Sequence, residues 1–168
     1  MFNEPIIKKV NDIEIEYDID DFEIVFSRNN IILKELTINV FVSPYYVGVF
    51  EIIIFDGEEE IAKIDFTGSF KDDTEAIMSQ AERIAQKIID KEINDKINLY
   101  LMEINSIANN NNVKITLKII DYFTNLSKSD YFIFEDGKEI ARIECTESKL
   151  KDFEEIRNKV KIFYNEEL

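Results

Sequence analysis

Histidine and tryptophan are absent from this chain of 168 residues, cysteine occurs once, and glycine and proline number four and two. Without histidine there is no Ser-His-Asp or Cys-His nucleophile, no imidazole-bound zinc, and no side chain that titrates unperturbed near neutrality. A single cysteine excludes an internal disulfide and Cys-rich zinc or iron–sulfur centres. The glycines form neither GxGxxG nor the GxxxxGK[ST] phosphate loop. No apolar run approaches the roughly 18 residues of a membrane-spanning helix. The opening MFNEPIIKKVNDIE meets charge too early for a signal peptide. A cytoplasmic, non-enzymatic protein with no cofactor, metal or membrane contact is the expectation.

Charge is what the chain has in surplus. Thirty-five acids against twenty bases give −15 and an isoelectric point near 4.4. A field of that sign repels nucleic acid and anionic membrane and attracts basic surfaces. Solubility alone is the competing explanation. With 45% hydrophobic residues the chain holds enough apolar mass for a core.

The pattern along the chain is mostly of period two. In Ile13–Ile19 (IEIEYDI), Ile13, Ile15, Tyr17 and Ile19 share one face and acids the other, as in a half-buried strand. Phe22–Phe26, Leu36–Val42 and Val47–Phe55 read as further strands, with a Ser43-Pro44 turn between the last two. Asp56-Gly57 opens a hairpin into Glu60–Phe66. A helix follows, with Asp72 as the expected N-cap and Glu75 completing a capping box. Its stripe is Ile77, Ala81, Ile84 and Ile88. A second stripe (Ile89, Ile93, Ile97, Tyr100, Ile104, Ile107) is out of phase with it, so a kink or two helices are expected near Asp90-Lys91.

The same order then returns. DGEEEIAKIDF (56–66) is echoed by DGKEIARIEC (136–145), and Val113–Ile120 matches the strand before the first hairpin. Ala62, Ile64 and Phe66, like Ala141, Ile143 and Cys145, are expected to face the core, with Ile61 and Ile140 pointing away. Cys145 then stands where its twin is Phe, which makes it a packing residue. Ser148 caps a last helix with Leu150, Phe153, Ile156, Val160 and Phe163 inward. The expected fold is α+β: two tandem βββα units, 1–91 and 92–168, with an extra N-terminal strand pair and mainly antiparallel sheet packed by helices.

Carboxylates are the remaining source of chemistry. Asp18-Ile19-Asp20-Asp21 is no EF-hand loop, because Phe22 and Glu23 occupy positions that need a ligand and a glycine. Acids alternating with core residues, or standing in turns, point to water and do not converge as a glycosidase or two-metal pair would. They can form an interface instead. Glu14, Glu16, Asp18, Asp20 and Asp21 make a row without a base, spaced along the strand broadly like phosphates. Asp56, Glu58 and Glu59 cluster at the hairpin, and Asp72 and Asp73 at the helix start. These ten are the candidate partner-binding residues. The competing reading is the wet face of an edge strand, or acids paired with Lys8, Lys9 or Lys34.

From Ile93 onward, the order helix, three strands joined by a DG hairpin, then helix, with surplus acid and few glycines, resembles the small acidic phage-encoded anti-CRISPR proteins of αβββα build. The resemblance covers residues 92–168 and implies a nucleic-acid mimic whose partner is a basic nucleic-acid-binding protein, a CRISPR effector among them. Double-stranded-RNA-binding domains share the order, but SKLKD (148–152) supplies only Lys149 and Lys151 amid acids, so direct nucleic-acid binding is not expected. The alternatives are a phage or plasmid assembly module, a homodimer joined through edge strands, and, behind both, a metal-dependent hydrolase.

Overall fold

A computed structural model describes residues 3–42, 45, 50–121 and 128–168. The Ser43-Pro44 turn and the first residues of the Val47–Phe55 strand lie outside them. The chain is α+β and divides into two compact units, Met1–Ile89 and Asp90–Leu168.

The first unit holds a six-stranded antiparallel meander: β1 (Ile6–Val10), β2 (Ile13–Asp18), β3 (Glu23–Arg28), β4 (Ile31–Val42), β5 (Phe50–Asp56) and β6 (Glu59–Asp65). The N-terminal addition is therefore three strands, one more than the expected pair. Helix α1 (Phe70–Asn110) follows. Its first half lies on the sheet face bearing Ile13, Ile15, Ile24, Phe26 and Ile54, all fully buried. Ile77, Met78, Ala81, Ala85 and Ile89 are buried from the helix side, and Lys8 bridges to Glu82 at 2.9 Å.

The second unit repeats β4–β6 and the helix start as β7 (Ile115–Asp121), β8 (Ser129–Glu135), β9 (Lys138–Glu144) and α2 (Lys149–Phe163). Ile104 and Ile107 from the second half of α1, with Ile156 and Val160 from α2, enclose Tyr131, Ile133 and Ile143. Arg157 lies over the Tyr100 ring, 4.5 Å from its centroid, and with Lys161 flanks Glu103 at 3.6 and 3.3 Å. Each unit thus completes the same βββα motif with a different supplement, three strands in the first and a helix segment in the second.

The correspondence holds at a constant offset. Thr37 pairs with Phe55 as Thr116 pairs with Phe134, and Ile54 with Ala62 as Ile133 with Ala141, each pair 79 positions further on. A register shift falls between Ile54 and Phe55 and again between Ile133 and Phe134, which makes Ile61 and Ile140 the bulge residues. The bulge turns Ile140 toward the core, against which it packs, so it does not point away as alternation requires.

Three other expectations are corrected. The phase shift near Asp90 does not divide the segment into two helices: α1 is one element of 41 residues and buries one stripe in i+4 steps to Ile89 and another from Ile97. Ser69, not Asp72, caps α1, accepting the Asp72 N–H at 3.3 Å. In α2 the buried stripe advances by four (Asp152, Ile156, Val160), so Tyr164 continues it and Phe163 stays 47% exposed. The Tyr164 hydroxyl donates to the Glu135 carboxylate; burial and that bond push its pKa up to about 12.

Candidate acidic interface

Strand β2 is central, paired to β1 and β3, so its acids do not guard a sheet edge. They belong to the face opposite α1, and the register shows what joins them there. Glu16 lies in line with Ile7, Val25 and Glu35; Asp18 with Glu23, Thr37, Phe55 and Glu60. Further along, Glu51 lies between Phe41 and Asp65. Adding Glu14, the face holds eight carboxylates. Its bases are Lys9, opposite Glu14, and Lys63, which reaches Glu60 at 3.4 Å. Strands about 4.8 Å apart with same-face residues roughly 6.6 Å apart turn these into a two-dimensional array. In the sequence Glu23 stands out only as the end of the acidic run and Glu60 only as part of the hairpin cluster, and Glu35, Glu51 and Asp65 do not stand out as interface acids; the strand pairing alone places all five beside the β2 row. Alternation within each strand is the signal that carries them.

The remaining candidates scatter. Asp20 and Asp21 sit in the β2–β3 turn, where Asp18 Oδ1 accepts both their N–H groups at 3.0 and 3.2 Å. Asp20 in turn accepts from Asn3 through backbone and side chain. Because the strands alternate in direction, this turn and the start of α1, with exposed Asp72, lie at one end of the sheet. Asp56, Glu58 and Glu59 lie at the other end. Asp56 is held by Lys34 at 2.6 Å, while Glu58 and Glu59 are exposed.

Asp73, expected among the partner-binding residues, is not a surface acid. It is buried at 7% exposure, and its oxygens accept from Thr67 N (2.9 Å), Thr67 Oγ1 (2.8 Å) and Gly68 N (3.1 Å). Burial alone would raise its pKa; the three hydrogen bonds outweigh it and hold the carboxyl below its ordinary range. Asp152 repeats the arrangement with Thr146 N and Oγ1, the latter at 2.6 Å, beneath the Ser148 cap. A T-x-S-x-x-x-D phrase (67–73 and 146–152) is the sequence mark of both, and it extends the repeat through the helix starts.

The second unit differs on its equivalent face. Asn39, Ile53 and Lys63 correspond to Lys118, Phe132 and Arg142. There the Arg142 guanidinium lies 4.2 Å from the Phe132 centroid, Phe132 stacks on Phe134, and Lys118 sits 5.5 Å from the Phe134 ring. The strongly acidic face is thus a property of the first sheet.

Cys145 packs against the second unit's core, and burial, then the fields of Asp152 and Asp130, push its thiol pKa up, opposite to what a nucleophile needs. Among the described residues no three His, Cys, Asp or Glu side chains are grouped to hold a metal ion, and no helix is long and apolar enough to cross a membrane. No family model, curated protein or solved structure matches the chain.

Proposed function

We propose that the protein is an acidic inhibitor: it docks the exposed face of its first sheet onto the basic nucleic-acid-binding surface of another protein and excludes DNA or RNA. Within that class the reading is an anti-CRISPR or other anti-defence protein. The observation that carries it is the array of eight carboxylates against two lysines on one helix-free sheet face. Such a face steers a basic partner and loses affinity as salt screens it.

The structure changes which residues test the idea. Asp18 and Asp20 hold the β2–β3 turn, so reversing them disturbs the fold. Glu16, Glu35 and Glu51 lie on the array and outside that turn. Immobilised wild-type protein is expected to retain a nucleic-acid-binding protein from host lysate, to release it as salt rises, and to lose it to added DNA. The Glu16→Lys/Glu35→Lys/Glu51→Lys variant is expected to retain none. Equal retention on both columns sinks the proposal.

Self-association is the second reading. It is favoured by β7, an edge strand whose Ile119 and Ile120 are 57% and 41% exposed. A salt-tolerant dimer in sedimentation, with no other protein retained, would establish it over the first.

A further inference from the structure

The helix-side end of the first sheet contains a cavity of about 290 Å³, walled by Tyr17, Phe22, Ile52, Phe66, Phe70 and Thr74 among others. The second unit acts as an internal control for it. At the 79-residue offset, Ile52 and Thr74 correspond to Tyr131 and Phe153, whose rings meet edge to face with centroids 5.6 Å apart. The residues beneath are conserved in size and burial, Ile77 against Ile156, and Asp73 against Asp152. Where the second unit places Tyr131, Phe153 and the small Cys145, the first has Ile52, Thr74 and the ring of Phe66, and the cavity opens between these three. A cavity left unfilled costs stability in proportion to its volume.

A second observation is independent of the volume. Phe22, half exposed at the mouth, has φ of +54°; every other described residue with positive φ is Asn, Asp or Gly. A bulky side chain in the left-handed region is strained, and such strain gathers at binding sites. Its carbonyl is pinned by the Ile38 N–H at 2.9 Å, which holds the ring at the cavity wall.

We infer that this cavity is a binding site for a small, uncharged, predominantly apolar molecule. The walls select the class. Asp73, the one charged group among the described lining residues, spends its oxygens on Thr67 and Gly68 and offers no seat to a cation. Its negative charge and the net −15 of the chain oppose an anion. The Tyr17 and Thr74 hydroxyls are the neutral polar groups that remain. The size falls at the small end of ligand pockets, which begin near about 300 Å³. The site is independent of the acidic face and of the inhibitor reading.

The probe is N-phenyl-1-naphthylamine, an uncharged fluorophore, titrated into the full chain. Saturable enhancement at one equivalent is expected, with methyl NMR shifts confined to Ile19, Ile38, Ile52 and Ile77 and none at Ile133 or Ile156. Thr74→Phe and Ile52→Tyr, each installing the second unit's ring, are expected to weaken binding by about tenfold or more. Because filling a site can also disturb a fold, Phe22→Gly gives a separate arm. It relieves the left-handed strain, so the thermal midpoint should hold or rise while affinity falls several-fold. A merely structural Phe22 would not separate the two readouts. The anion 1-naphthoate should bind about tenfold or more weaker than the neutral probe. Absence of saturable binding, methyl shifts in both units alike, wild-type affinity in Thr74→Phe and Phe22→Gly, or equal binding of naphthoate would each overturn the inference.

Discussion

Asp73 and Asp152 are the residues for which a formal negative charge misleads most. In the sequence each stands in an acid-rich helix start, where exposure is the ordinary expectation, yet each turns inward and ties the strand–helix connection through a threonine. Hydrogen bonds to a charged acceptor are individually stronger than neutral ones, and removing the acceptor strands its donors. Asp152→Ala is therefore expected to cost about 2–3 kcal/mol, read from the urea midpoint at constant m-value. The Asp73 carboxyl is held below its ordinary 3.8 when folded. Its contribution is thus present above that value and lost as pH falls through the lower folded pKa. Wild type should lose stability between pH 5 and pH 2, and Asp73→Asn should lose less over the same interval; equal losses would place the acid sensitivity elsewhere.

The two hairpins show how an element can be conserved while its sequence alignment slips. Aligning the DG pairs demands a deletion, but strands, bulges and helix starts all keep the 79-residue offset. The turns absorb the difference. In the first, Gly57 takes the leading position with φ +61°; in the second, Asp136 leads with φ +46° and Gly137 follows with +85°. Both are two-residue turns of the kind that matches strand twist. A Cβ on Gly57 would meet no neighbour, so Gly57→Ala carries only backbone strain, about 1–2 kcal/mol, or a midpoint lowered by about 2–8 °C. The pair Gly57→Asp/Glu58→Gly, which copies the second turn, should stay within about 0.5 kcal/mol of wild type. A loss as large as that of Gly57→Ala would show that the two turns are not interchangeable.

Strand β2 and the hairpins were legible in the sequence because one face is buried and the other wet, so alternation is clean in IEIEYD. Strand β1 was not, since IIKKV is an edge strand with its three central residues exposed, and periodicity needs a buried face to register. Helix α1 reads as two because its buried stripe shifts, yet no glycine or proline lies between Ser69 and Asp136 to end it. The acidic candidates were legible as a run along one strand. The array was not, because which strands lie beside β2, and in what register, is decided by pairing across the sheet.

At the scale of the whole molecule, the charge decides between two accounts of the acidic face before any partner is in hand. If the acids are balanced by their own lysines, they contribute stability; if they repel one another, stability is held down and a basic partner relieves it. Glu16→Lys/Glu35→Lys/Glu51→Lys adds two charges per substitution and moves the net charge from −15 to −9. Glu16 and Glu35 lie in line on either side of Val25, and Glu51 opposite Asp65, so each new lysine enters among acids. At about 10 mM salt the Debye length of roughly 30 Å spans the whole face, whereas at about 1 M it is roughly 3 Å and neighbouring charges scarcely interact. Repulsion thus predicts that the variant melts about 2–4 °C above wild type in low salt, that the gap closes as salt rises, and that wild type itself gains stability along the series. A variant that melts below wild type in low salt would mean that Lys9 and Lys63 already neutralise the array. The face would then be a self-balanced surface with no call for a basic partner.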